Sequence, residues 1–259
     1  MTNFDAASAP HRILVIRLGA LGDLLLCAPA FQAIRAAHPR AEIALLTQPQ
    51  WADFARAMPW FDRIILDARP RLLDLAPWHN LLRRLRDFDM DRVYDLQGKN
   101  RQNILFWLLG GPWGRAAWSG ASRYCRHPRI WPPQPGWHFQ DFLAAQLCAA
   151  GVTSVPAADF SWLDAPVDGF GLPEKFVLLI PGCSAAHPEK RWPAASYAEV
   201  ARSLMARGIG VAAIGAGDDR DAITAIKALA PGLIDLGGRT RLLQIGGLAR
   251  HALAVLGND

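Results

Sequence analysis

One carboxylate, Asp23, closes a glycine turn in the run Arg-Ile-Leu-Val-Ile-Arg-Leu-Gly-Ala-Leu-Gly-Asp, residues 12–23. A carboxylate held at the mouth of a cleft can take a proton as a general base. At a helix start it can equally serve as an N-cap, where it suits the positive end of the helix dipole. Taken by itself, the stretch favours the cap. Two phosphate-binding patterns are excluded. A dinucleotide fingerprint needs glycines spaced G-x-G-x-x-G, and here only Gly19 and Gly22 stand around Ala20-Leu21. A P-loop needs Lys after its last glycine, and Asp23 occupies that place.

A second group lies at Pro181-Gly182-Cys183-Ser184, with Lys190-Arg191-Trp192-Pro193 just downstream. A glycine turn after a strand exposes backbone N–H groups, Ser184 adds a hydroxyl, and Lys190 and Arg191 add positive charge. Turn, hydroxyl and charges together suit a diphosphate, more than they suit an ordinary basic loop before a helix. A third group is Gly215-Ala216-Gly217-Asp218-Asp219. Its adjacent carboxylates can accept from ribose hydroxyls or cap the following helix.

Between Asp95 and Asp141 there is no Asp or Glu, while Lys99, Arg101, Arg115, Arg123, Arg126 and Arg129 fall in the interval. So do Trp107, Trp113, Trp118, Trp131 and Trp137. Such a stretch is either a solvated basic face over core tryptophans or a surface for an anionic acceptor, a phosphorylated lipid head or a membrane. No nucleic-acid recognition module is visible.

The elements that must position these residues alternate. Ile13 to Ile16 is apolar and β-branched, as a buried parallel strand requires. A helical pattern follows from Leu24 to Ala37, with Pro29 marking either a kink or a later start. Strands are expected at 42–47, 63–66, 92–96, 115–118, 176–180, 210–214, 233–236 and 253–256. Helical patterns lie at 51–58, 78–88, 102–109, 138–150, 194–207, 218–229 and 240–250, the last despite Gly246-Gly247. Strands separated by helices argue for an α/β protein with doubly wound parallel sheets. The Pro- and Gly-containing segment from Val152 to Lys175 is the candidate linker.

The composition is that of a globular protein: 51% hydrophobic over 259 residues, with a net charge of +5. The first ten residues lack the apolar core of a signal peptide. No run of about eighteen apolar residues occurs, so no membrane-spanning helix is expected. The four cysteines, Cys27, Cys125, Cys148 and Cys183, are scattered. They suggest neither zinc nor a disulfide framework, and a reducing cytoplasm is the simplest home.

These pieces, in this order, resemble family 9 glycosyltransferases, the bacterial heptosyltransferases of lipopolysaccharide core assembly. Arg17-Leu18-Gly19-Ala20-Leu21-Gly22-Asp23 through Ala30 looks like the family's N-terminal segment, Pro29 included. Val93 to Gly98 looks like its central strand and turn, and Pro181 to Pro193 like its nucleotide-side loop. Asp235-Leu236-Gly237-Gly238 and Leu256-Gly257-Asn258-Asp259 look like its late strands. The resemblance implies a GT-B fold: an acceptor-side Rossmann-like domain over residues 1–165 and a nucleotide-sugar-side domain over 166–259, facing across a cleft.

It further implies inverting transfer of heptose from ADP-heptose to an anionic lipopolysaccharide inner-core acceptor, with neither a metal nor a cofactor. The setting implied is the cytoplasm, with peripheral contact at the inner membrane. Asp23 matches the family's base and Lys190 its phosphate-binding lysine. Gly182, Ser184, Asp218 or Asp219, and Asp259 fall on the nucleotide side. From the acid-free interval itself, Lys99, Arg101 and Arg123 are expected to bind the anionic acceptor or the inner-membrane surface. Family members continue past the final Asn-Asp with Thr-Gly-Pro and a histidine, so a C-terminally truncated second domain is expected. Two other classes remain as alternatives: a sugar-nucleotide oxidoreductase or epimerase, and a non-catalytic fragment.

Overall fold

A computed structural model describes residues 10–71, 73–98, 100–130, 135–183 and 188–258. The chain divides into two compact units, Met1–Trp162 and Leu163–Asp259.

The first unit holds a parallel sheet of β1 (Arg12–Ile16), β2 (Glu42–Thr47), β3 (Arg63–Leu66), β4 (Arg92–Asp95), β5 (Ala117–Gly120) and β6 (His127–Pro128). Its strand order is β3-β2-β1-β4-β5-β6. Ile13, Leu14, Val15 and Ile16 are wholly buried, as the unbroken apolar run requires of a central strand covered on both faces. Ile16 is in register with Leu46 on one side and Asp95 on the other.

The helices are α1 (Leu21–Leu26), α2 (Ala28–Ala37), α3 (Ala52–Arg56), α4 (Leu75–Phe88), α5 (Asn100–Leu108) and α6 (Phe139–Ala149). The long first helix expected from Leu24 to Ala37 is in fact two. The first stops at Cys27, and Pro29 sits in the opening turn of α2, where a missing N–H costs nothing. Along α4, Trp78, Leu81, Leu85 and Phe88 are buried at helical spacing and join Leu14, Leu46, Val93 and Phe106 in one core. Truncating a wholly buried side chain such as Leu85 to Ala would cost about 2–5 kcal/mol.

One strand expectation is corrected and one strand is new. The fifth strand begins at Ala117, not Arg115, because Arg115 points to Asp89 and Asp91 at 2.6 and 2.9 Å. The sixth strand was not expected. It is only His127–Pro128, at the sheet's edge, where proline is tolerated.

The second unit repeats the plan with β7 (Phe176–Ile180), β8 (Gly210–Ala213), β9 (Ile234–Asp235) and β10 (Ala254–Gly257). Its order is β10-β7-β8-β9, all parallel. Counted from its own first strand, this is the same arrangement as β4-β1-β2-β3. The helices are α7 (Ala194–Met205), α8 (Arg220–Leu229) and α9 (Leu242–His251). Tyr197 and Ala201 of α7 are buried against Val177, Leu179, Val211, Ile223 and Ile226.

The candidate linker is held down along its length. Its first part belongs to unit one, where Trp162 packs on Phe54 and Trp60 at 5.3 and 5.6 Å. Its later part belongs to unit two, where Val167, Phe170 and Leu172 pack on the Phe176–Leu248 core. Gly246 and Gly247 persist inside α9 for a steric reason. A Cβ at either would stand 2.5 or 2.6 Å from the carbonyl oxygens of Leu163 and Ala165. Glycine lets the linker lie directly on the helix.

Candidate functional site

In an open parallel sheet, neighbouring loops part where the strand order reverses, and ligands lie there, beyond the carboxyl ends. In unit one the reversal falls between β1 and β4. The chain leaving β1 carries Arg17, Leu18 and Gly19; that leaving β4 carries Leu96, Gln97 and Gly98.

Arg17 is 5% exposed. A charge buried so deeply needs partners, and it has two. Its Nη1 donates to Leu96 O at 2.6 Å, and its Nη2 lies 3.2 Å from Asp23 Oδ2. The guanidinium also stands 5.1 Å from the centre of the Phe139 ring. Arg17 Nε is buried and has no partner among the described residues.

Asp23 occupies the third residue of α1, and Ala20 is the cap residue, making no side-chain bond. The N-cap role favoured by the stretch alone therefore does not hold. The Asp23 carboxyl turns back over Gly19, where a Cβ would overlap it, and 46% of its side chain is open to solvent. A half-exposed carboxylate braced from behind by a buried arginine can accept a proton from a bound hydroxyl.

The loop itself is fixed from both neighbours. Leu18 N donates to Gln97 Oε1 at 2.9 Å, and Gln48 Nε2 donates to Leu18 O. Asp95 ends β4 and is buried. Its Oδ1 accepts from Gln97 N and Gly98 N at 3.0 and 2.9 Å. Burial pushes its carboxyl up to about 6, against the pull of those two N–H groups and of Arg129 and Arg17. Burial likewise pushes the Cys27 thiol up to about 12, so this cysteine stays protonated.

The expected acceptor-side cations separate. Lys99 lies outside the described residues. Arg101 is engaged within its own unit: Nε and Nη2 grip Asp67 at 2.9 and 2.7 Å, Nη1 reaches Pro70 O at 3.1 Å, and the guanidinium covers the Trp78 ring at 4.3 Å. Asp67 is fully covered and Arg101 retains 15% exposure, so its charge is answered internally. Arg123 is exposed and lies over the Tyr124 ring at 4.6 Å.

In unit two the reversal falls between β7 and β10. The β7 chain continues into Pro181-Gly182-Cys183, and Asn258 follows β10. The Asn258 amide makes four bonds. Its Nδ2 donates to Pro181 O at 2.7 Å and Gly182 O at 3.3 Å, and its Oδ1 accepts from Trp192 N and Tyr197 OH, both at 3.0 Å. One side chain thereby ties the β7 loop to the start of α7. Gln97 does the equivalent work in unit one.

Gly182 is needed because the Asp219 carboxyl covers it, and a Cβ there would overlap that group. Asp219 also accepts from Ala216 N at 3.0 Å and approaches Arg191 Nη2 at 3.9 Å. It thus closes the turn before α8 and joins the β7 and β8 loops. Lys190 ends a single helical turn, Pro188–Lys190, and is exposed. Arg191 Nε donates to Cys183 Sγ at 3.4 Å. Ser184, Asp259 and the side chain of Asp218 lie outside what is described.

Arg17, Gln97 and Asn258 carry no role of their own in the sequence reading, whereas Arg191 was read there as a phosphate-side charge. The available signal for Arg17 was a charged residue ending an otherwise apolar strand. Gln97 and Asn258 are polar residues two places and one place past strands that flank a reversal, which only the strand order reveals.

Known proteins resemble this chain in sequence and in fold. The sequence pattern described as Glycosyltransferase family 9 (heptosyltransferase) matches residues 78–259. Lipopolysaccharide heptosyltransferase 2 of Salmonella typhimurium is 26% identical over 96% of this chain and 77% of its own. A putative glycosyltransferase of Haemophilus influenzae is 26% identical over 100 residues, 39% of this chain and 28% of its own length. Among solved structures, a family 9 glycosyl transferase from Veillonella parvula superposes with a TM-score of 0.75 at 20% identity. That match covers 95% of this chain and 74% of the other. The E. coli ADP-heptose lps heptosyltransferase II gives 0.72 at 22% identity, covering 96% and 79%.

Proposed function

The chain belongs to glycosyltransferase family 9 and has the α/β GT-B fold of two Rossmann-like units; from this premise we propose that it transfers a heptose from ADP-heptose to a hydroxyl of an anionic lipopolysaccharide inner-core acceptor, with inversion. The observation that carries the reading is the half-exposed Asp23 carboxylate, 3.2 Å from buried Arg17 at the strand-order reversal of unit one. Support for the donor comes from the relatives, one of whose names specifies ADP-heptose.

In this reading Asp23 removes the proton from the attacking acceptor hydroxyl. The oxygen forms a bond to the anomeric carbon as the bond from that carbon to the diphosphate breaks, and ADP departs with the electron pair. Backbone N–H groups around Gly182, with Ser184 and Lys190, stabilise the charge that develops on the leaving oxygen. Asp218 and Asp259 complete the nucleotide side, and Asp219 holds its loops in place. Lys99 and Arg123 attract the anionic acceptor. Arg17 is a positioning residue, which aims the Asp23 carboxylate without touching substrate. The reaction takes place at the cytoplasmic face of the inner membrane.

The test is transfer and ADP release by this chain and by Asp23→Asn. Loss on the order of 100-fold in kcat, with ADP affinity and melting temperature unchanged, is the result expected for removal of a general base. Full turnover in a correctly folded Asp23→Asn protein would overturn the assignment.

A further inference from the structure

The acid-free interval contains an aromatic cluster that neither the transfer chemistry nor the core accounts for. Trp107, near the end of α5, is anchored inward by Phe106, whose ring meets the buried Trp118 at 5.4 Å. Outward, Trp107 meets Trp113 at 6.4 Å and Tyr124 at 5.6 Å between ring centres. Its six-membered ring rests on Gly111, where a Cβ would stand 2.7 Å away. The three outer rings are open to solvent: Trp107 by 46%, Tyr124 by 49% and Trp113 by 86%, with Leu108 beside them at 43%.

Exposed single apolar residues need no explanation, but a cluster of large rings held on a rigid base does. Two arginines border it. Arg123 covers the Tyr124 ring and donates to its hydroxyl, and Arg86 Nη2 donates to Leu108 O at 3.1 Å. Both are exposed.

We propose that this cluster is the surface by which the protein docks on an anionic lipid bilayer, Trp107, Trp113 and Tyr124 entering the headgroup layer and Arg86 and Arg123 meeting lipid phosphates. Indole and phenol rings favour that layer because an apolar body carries a polar edge. Arginines beside the rings add electrostatic attraction to a negatively charged leaflet. The alternative occupant, a second copy of the chain, fits less well. A two-fold contact through this patch would bring like-charged arginines together from both copies. Arg123 and the membrane setting are shared with the proposed function, which this surface deepens; vesicle binding is read without donor or acceptor, so its outcome is separate from that of the transfer reading.

The experiment is co-sedimentation of the full chain with phosphatidylcholine vesicles, with and without phosphatidylglycerol, together with tryptophan emission. The wild-type protein sediments with the anionic vesicles and its emission shifts to the blue. Trp113→Ala lowers the partition on the order of tenfold, since binding scales with buried apolar area. Arg123→Glu weakens binding to the anionic vesicles alone, in a salt-dependent manner. Trp113 is so exposed that its removal leaves the melting temperature unchanged, which separates lost docking from lost folding. Failure of the wild-type protein to bind anionic vesicles overturns the proposal. So does unaltered binding by a folded Trp113→Ala protein. A concentration-dependent dimer that Trp113→Ala dissociates would assign the patch to a second copy instead.

Discussion

The carboxylate of Asp23 lies over the backbone of Gly19, occupying the space that a side chain at Gly19 would need. The glycine turn therefore does more than turn the chain: it makes room for the acid that follows it four residues later.

Gly19→Ala should accordingly displace the Asp23 carboxyl while sparing the core, since Gly19 is only partly covered. The expected outcome is a fall in kcat approaching that of Asp23→Asn, with donor affinity held. Steady-state kinetics beside a thermal melt would check it. Normal turnover in Gly19→Ala would mean that the carboxylate's present placement is not the one that reacts.

Arg17 gives a second expectation. Arg17→Met keeps the length of the side chain but leaves Asp23 unbraced and Leu96 O without its donor. Turnover should drop roughly tenfold or more, with donor affinity retained. Combined with Asp23→Asn, the change should cost little further turnover, because both act through one group. Additive losses in the double variant would show Arg17 acting elsewhere.

A half-buried and a buried titrating group oppose each other in unit one. The His38 ring, 2.8 Å from Tyr94 OH, is lowered to about 4 by burial and then by Arg92 and Arg35. Asp95 is raised to about 6 by burial. Between roughly pH 4 and 6.5 the unfolded chain holds the His38 proton that the folded chain lacks, so that group's contribution to stability grows as pH rises. Between roughly pH 4 and 6 the folded chain holds the Asp95 proton that the unfolded chain has released, so that contribution shrinks as pH rises. Asp95→Asn keeps an acceptor for Gln97 N and Gly98 N and removes only the second slope. Its melting temperature relative to wild type should climb from pH 4 to pH 6 and then level off. His38→Asn should show the reverse trend. A difference that is flat in pH for either variant would refute the assignment for that group.

On the proposed nucleotide side, Lys190 and Asn258 should separate binding from architecture. Lys190 is exposed, so Lys190→Ala should weaken ADP binding about tenfold and leave the melting temperature unchanged. Asn258→Asp places an oxygen where Nδ2 now faces Pro181 O and Gly182 O, and should lower both. Calorimetry with ADP and a melt of each variant distinguish the two patterns.

Much of this was legible in the sequence where local signals suffice. The wholly apolar Ile13–Ile16 could only be a buried strand, and the glycines around Ala20-Leu21 announced the turn that carries Asp23. What was hidden depends on partners far along the chain. Arg101 reads as a free cation until Asp67, 34 residues earlier, is seen beneath it. Gly246 and Gly247 read as helix breakers until the carbonyls of Leu163 and Ala165 arrive against them. Arg17 reads as the polite end of a strand, because nothing local says that α6 will cover it with Phe139. The split of the first helix at Cys27 was half visible, since Pro29 allowed either a kink or a later start.

The contacts that shape the Asp23 loop join residues far apart in the chain. Arg17 to Leu96 and Leu18 to Gln97 each span 79 residues, while β1 and β2 pair across a much shorter connection. Long closures carry the larger entropy cost and form slowly. A nascent chain can therefore pair β1 with β2 and bury Ile13–Ile16 on one side well before β4 emerges, with Asp23 still unplaced. The loop gains its bracing only when Leu96 and Gln97 have been made, so the placement of Asp23 waits on β4.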